Sequence, residues 1–210
     1  MKPTAKFAAL LVCLSVSPLV LAQVGNNTAL LNPNTVEAAA LKGLPNVTDP
    51  LSQAIVAGRP YLTTSAFNDV LAKSLSEAQR TELYGRLFLQ INLNKASRAE
   101  IMLIPGMSTK MVREFEEYRP YTSLTQFRRE MGKYVDAKEV ARLEQYVFIP
   151  MNLNTALEAD FKTIPGMTDR MVHEFMEYRP YTSIEQFRRE IGKYVDAKEV
   201  ARLESYVALK

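Results

Sequence analysis

Residues 117–147 read EYRPYTSLTQFRREMGKYVDAKEVARLEQYV, and residues 177–207 read EYRPYTSIEQFRREIGKYVDAKEVARLESYV. The two stretches lie 60 positions apart and differ only at Leu124/Ile184, Thr125/Glu185, Met131/Ile191 and Gln145/Ser205. Carried outward, the same shift aligns the chain on itself without a gap, the signature of a tandem repeat. Asn32, Asn92 and Asn152 coincide, as do Asn34, Asn94 and Asn154, and Pro45, Pro105 and Pro165. Arg59-Pro60-Tyr61, Arg119-Pro120-Tyr121 and Arg179-Pro180-Tyr181 follow in register, with Phe67, Phe127 and Phe187 behind them. Three units result, 31–90, 91–150 and 151–210, of which the first has drifted and keeps mainly apolar and turn positions. Residues common to all three are candidates for holding the fold. Those shared by the last two alone are candidates for something additional.

Helix signals recur within the second unit, each a capping residue followed by apolar residues three to four apart. Ser97-Arg98-Ala99-Glu100 reads as a capping box, and Ser123-Leu124-Thr125-Gln126 and Asp136-Ala137-Lys138-Glu139 repeat the pattern. Ser108 is placed to cap a helix whose Met111, Val112, Phe115 and Tyr118 share one face. Arg119 suits the negative end of that helix and Pro120 discourages its continuation. Each unit is therefore expected to hold four short helices paired as two hairpins, an all-α architecture. Helices this short are marginal alone, so packing must hold them. Ile104, Met107, Phe115, Tyr121, Phe127, Val140, Leu143 and Tyr146 are the expected core. The unit junction, Tyr146-Val147-Phe148-Ile149-Pro150-Met151, is apolar, which predicts units packed together in a compact or gently curved array.

The first residues read as an export signal: Lys2 and Lys6, an apolar run from Phe7 to Leu21, and a small-residue cleavage site ending at Ala22. Residues 1–22 are thus expected to be removed, 23–30 to form a short linker, and the mature chain to be periplasmic or extracellular with no membrane span. The single cysteine, Cys13, sits in the apolar run, so a mature chain has no disulfide and no cysteine-based metal site. Loss of Lys2 and Lys6 takes the basic count from 26 to 24 against 23 acidic residues, a mature net charge of about +1. Such a chain exerts no global pull on nucleic acid, and any basic patch must be local.

The stretches Asn92-Leu93-Asn94-Lys95-Ala96 to Ile104-Pro105-Gly106-Met107 and Asn152-Leu153-Asn154-Thr155-Ala156 to Ile164-Pro165-Gly166-Met167 resemble the helix-hairpin-helix modules of exported, ComEA-type competence DNA receptors. The resemblance covers residues 31–210. It implies three tandem repeats of paired helix-hairpin-helix motifs, SAM-like competence-type helical domains, following the signal peptide. It also implies a glycine turn whose following backbone N–H groups grip a DNA phosphate without reading sequence. The family's second turn glycine is replaced by Ser108 and Thr168, the first unit has Asn46-Val47-Thr48, and Tyr134 stands where the second hairpin of the unit would have a glycine. The turn and the Arg-Pro-Tyr motif are also similar to the helical domain of type II secretion minor pseudopilin K and to photosystem II extrinsic protein U, where the module implies protein contact.

Candidate phosphate ligands are Gly106, Met107, Ser108, Thr109, Lys110 and Arg113 in the second unit and Gly166, Met167, Thr168 and Arg170 in the third. Arg128, Arg129 and Lys133, repeated as Arg188, Arg189 and Lys193, form a second candidate cluster, interrupted by Glu130 and Glu190. The second unit offers the most favourable turn. Asp169 occupies the anion-attracting helix start in the third, and Asp49-Pro50 in the first removes an N–H as well. His173 aligns with Arg113 and Gln53, so no unit requires an imidazole there. No triad spacing, metal-ligand cluster or phosphate-cradling glycine loop is present, and no cofactor is expected. The reading is an exported, non-catalytic binding protein, with double-stranded DNA as ligand or, alternatively, an envelope protein as partner.

Overall fold

The computed structural model describes residues 30–209; the expected signal peptide and the linker up to residue 29 lie outside the described residues. The described chain is mostly helical. The first unit holds α1 (Ala38–Lys42), α2 (Asp49–Ala57), α3 (Thr64–Ala72) and α4 (Glu77–Tyr84). The second runs β1 (Ile91–Asn92), α5 (Arg98–Met102), α6 (Thr109–Glu117), α7 (Leu124–Met131), α8 (Ala137–Glu144) and β2 (Val147–Phe148). The third runs β3 (Met151–Asn152), α9 (Glu158–Phe161), α10 (Asp169–Glu177), α11 (Ile184–Ile191), α12 (Ala197–Glu204) and β4 (Val207–Ala208).

The strands are an addition to the expected all-α architecture. β1 pairs in parallel with β2, Ile91 opposite Val147, and β3 with β4, Met151 opposite Val207. Leu31 and Leu87 form a single bridge at the corresponding place. Each pairing joins the start of a unit to its end and gives partners to otherwise buried amides: Ile91 N–H donates to the Tyr146 carbonyl at 2.9 Å. Two-residue strands are too short for alternation to announce them.

Side-chain caps hold most helix starts. Ser97 and Glu100 form the reciprocal capping box expected of them. Ser123 and Asp136 also cap their helices, but the return bond is missing at both. Gln126 instead accepts from the Thr122 amide at 2.9 Å, and Glu139 pairs with Arg142 at 2.7 Å. Of the expected core, Met107 is only partly buried, while Ile104, Phe115, Tyr121, Phe127, Val140, Leu143 and Tyr146 are buried.

The Asn and Arg-Pro-Tyr positions common to all three units meet in space. Asn92 Oδ1 accepts the Asn94 amide, forming a local turn that aims the second asparagine. Asn94 then receives the Tyr121 N–H at 2.7 Å and donates to the Tyr121 carbonyl at 2.8 Å. Asn34 and Tyr61, and Asn154 and Tyr181, repeat the pair. The arginine does not serve its own helix end, as the sequence implied. Arg119 reaches back to the Leu93 and Ala96 carbonyls at 2.6 and 2.7 Å. The helix end at Tyr118 and the unit's first turn are thus cross-tied.

Aromatic contacts join the units. Phe88 packs edge-on against Tyr146, centroids 5.0 Å apart, and Phe148 lies 4.6 Å from Tyr206. First and third units also touch: a Cβ built on Gly166 would stand 2.8 Å from Thr35 Cγ2. Among the described residues no helix is long and apolar enough to cross a membrane.

Candidate anion-binding turns and their basic neighbours

The turn between α5 and α6 is set by backbone conformation. Gly106 takes φ 75° and Gly166 φ 77°, in the left-handed region that favours glycine. The first unit keeps this conformation without glycine, since Asn46 sits there at φ 64°. Asparagine is among the side chains that best tolerate it. Met107 N–H closes the turn on the Ile104 carbonyl at 3.0 Å, and Ser108 Oγ caps α6 by accepting from Met111 at 3.2 Å. Thr168 does the same for Met171. The amides of Thr109 and Lys110, in the first turn of α6, have no intrahelical acceptor and point out of the helix start.

The three turns differ in charge. Asp49 pairs with Lys42 at 2.8 Å and Asp169 with Lys162 at 2.9 Å, so carboxylate and lysine already occupy two of the helix starts. Contact with Asp169 raises the Lys162 ammonium above its ordinary range. At α6 these positions are Thr109 and Met102, and no such pair forms. Lys110 Nζ lies 6.0 Å from the Tyr134 ring centroid, Arg170 lies 5.4 Å from that of Tyr194, and Arg113 is exposed without an ion-pair partner among the described residues.

The second basic cluster is internally neutralised. Arg128 grips Glu144 with two hydrogen bonds, Nε at 2.6 Å and Nη2 at 2.7 Å, and Glu144 raises the guanidinium's affinity for its proton. Glu130 takes Arg129 at 2.6 Å and also Lys133, whose ammonium lies 4.8 Å from the Tyr118 ring centroid. Lys133 first and Arg129 second hold the Glu130 carboxyl below its usual range. Arg188 with Glu204, and Arg189 and Lys193 with Glu190, repeat the arrangement. Sequence spacing revealed Glu130 and Glu190 as interruptions but not Glu144 and Glu204, which arrive from the neighbouring helix.

A shallow groove of about 170 Å³ brings the two turns of the second unit together, with Gly106, Ser108, Lys110, Tyr134 and Glu139 in its walls. Tyr134 is hydrogen-bonded to Tyr118 at 2.8 Å. Bonding to Tyr118 and then to buried Glu114 holds the Tyr134 phenol protonated well above the tyrosine range. Tyr134 thus fills the place of the expected second glycine with a phenol tied to its own unit. Glu114 and Glu139 leave the groove of mixed sign. The anion-attracting part is narrowed to the Thr109 and Lys110 amides with Lys110 and Arg113.

His173 is exposed and lies 3.3 Å from Glu177. No cluster of metal-ligating side chains occurs among the described residues. No family model, curated protein or solved structure matches the chain.

Proposed function

We propose that the chain is an exported, non-catalytic protein whose three units are each a pair of helix-hairpin-helix motifs, and that its second unit binds double-stranded DNA without sequence preference. The supporting observation is the α6 start: a left-handed Gly106, a capped helix with outward amides at Thr109 and Lys110, and Lys110 and Arg113 without an ion-pair partner among the described residues. A helix N-terminus with open amides attracts phosphate. With only Lys110 and Arg113 beside this helix start, binding there is weak and easily screened, with a salt slope of about −0.9 per phosphate neutralised. Fluorescence anisotropy of a labelled duplex with the mature chain tests this. Binding at low salt that disappears on raising the salt and weakens in K110A supports the reading; no binding at low salt sinks it.

The locking of Arg128, Arg129, Lys133, Arg188, Arg189 and Lys193 into ion pairs favours a second reading, a protein-contact scaffold of the cell envelope. That reading expects a salt-tolerant partner recovered by cross-linking in intact envelopes, and no DNA-dependent anisotropy.

A further inference from the structure

A cavity of about 190 Å³ opens where all three units meet. The first unit contributes Leu62, Thr64 and Gln90, the second Lys95, Glu100 and Phe148, and the third Tyr206. Part of its lining departs from the repeat. Sixty residues on, Thr64 is matched by Leu124, which is 2% exposed, and Gln90 by Pro150, so the corresponding place between the second and third units carries apolar groups. Lys95 and Glu100 likewise stand where the third unit has Thr155 and Asp160. Thr64, Gln90 and the cation Lys95 are thus particular to the first junction, whereas a carboxylate is kept at both, as Glu100 and as Asp160.

Of the charged groups in the lining, Arg202 is paired with Glu199 at 2.7 Å, whereas Lys95 and Glu100 have no partner of the other sign among the described residues. Lys95 has no carboxylate within ion-pair distance among the described residues, and the Glu100 oxygens receive only the Ser97 and Ser65 amides and the Ser97 hydroxyl. Gln90 Nε2 donates to the Gln145 carbonyl at 2.9 Å, which fixes the amide orientation. Apolar contact is available beside the charges: Leu62 is 50% exposed, and the Phe148 and Tyr206 rings form the wall.

We propose that this junction binds a small zwitterion, a free α-amino acid with an apolar side chain. Its carboxylate meets Lys95, its ammonium meets Glu100, and its side chain lies against Leu62 and the two rings. The volume matches a single small metabolite and is below that of drug-sized sites, which run from about 300 Å³ upward. Because the walls come from three units, occupancy ties them together. The site is separate from the α6 turn and does not depend on DNA binding.

Calorimetric titration of the mature chain tests the assignment with three probes: L-leucine, 4-methylpentanoate, which lacks the ammonium, and isopentylamine, which lacks the carboxylate. L-leucine is expected to bind saturably, and each analogue about ten-fold more weakly, the effect of one lost charged contact. K95M should weaken L-leucine by a similar factor while leaving isopentylamine unchanged, and T64L, carrying the leucine of the next unit, should abolish binding. Should T64L fail to fold, the K95M comparison decides alone. No saturable heat with L-leucine up to about 10 mM, a range that detects millimolar affinity, overturns the proposal. So does equal affinity for the three probes, or full affinity in K95M.

Discussion

Asn94 holds Tyr121 from both sides of its peptide backbone, accepting the Tyr121 N–H at 2.7 Å and donating to its carbonyl at 2.8 Å. The pair spans 27 residues, from the entry of the second unit to the chain that follows α6. The side chain imitates a strand partner for a segment that has none. This accounts for an asparagine at position 94 of the second unit and at its counterparts in the other two.

Replacing Asn94 by alanine leaves a part-buried donor and acceptor unpaired, and each net hydrogen bond contributes about 1 kcal/mol. N94A should lower unfolding stability by about 2–3 kcal/mol. N94D should be no better, because it keeps the acceptor but turns a carboxylate toward the Tyr121 carbonyl. Urea unfolding followed by circular dichroism measures both, and an N94A midpoint equal to wild type would contradict the account.

Gly106 and Asn46, two of the three turn residues with positive φ among the described residues, give a comparison inside one molecule. G106A places a Cβ in the left-handed region and should cost about 1 kcal/mol. G106N should cost less, because Asn46 already adopts φ 64° at the corresponding position. N46G should be close to neutral, a few tenths of a kcal/mol either way. Denaturant midpoints for the three variants check the order, and G106A more stable than G106N would refute it.

How far these features were legible in the sequence depended on whether their signal was local. Caps such as Ser97, Ser108 and Asp136 were readable because cap and acceptor lie within one turn. Shared positions announced that Asn94, Arg119 and Tyr121 served the fold, but their pairing across 23 to 27 residues could not be read from a single periodicity. The charge balance of the basic cluster was legible only in part for the same reason. Arg128 and Arg129 are adjacent in the chain, whereas the Glu144 that neutralises Arg128 is 16 residues away on α8. The junction cavity was hidden because Thr64, Gln90, Lys95 and Glu100, the departures from the repeat, come from separated stretches and stand among lining positions such as Asn34, Tyr61 and Asn92 that the repeat keeps.

The Glu130 and Glu190 pairs predict a pH dependence whose sign follows from their depressed folded pKa. Lys133 and Arg129 lower the Glu130 carboxyl from 4.5, and Lys193 and Arg189 lower that of Glu190. An acid held below its unfolded pKa contributes stability that is fully present above the unfolded value and lost as pH falls through the folded one. Acid weakening should therefore begin below pH 4.5. E130Q/E190Q should flatten the decline of thermal midpoint in that window while changing it little in slope between pH 6 and 8. An unchanged acid slope in the double variant would remove this origin.

The Arg128–Glu144 pair separates the two functional readings. Glu144 is nearly buried, at 8% side-chain exposure, whereas Arg128 is 48% exposed, so the carboxylate withdraws a surface cation from any passing phosphate. E144Q keeps the shape and part of the hydrogen bonding but releases the charge on Arg128. If the second unit binds duplex DNA, E144Q should tighten binding and steepen the salt dependence by about one phosphate equivalent, a slope change near 0.9. It should also lower stability, because removing one partner leaves the guanidinium less well satisfied. The combined outcome, weaker fold with stronger and more salt-sensitive binding, has no counterpart if the surface serves only protein contact. Anisotropy titrations of E144Q at several salt concentrations, beside its urea midpoint, read both quantities. Binding unchanged in affinity and slope would take Arg128 out of the DNA interface and leave the α6 turn to act alone.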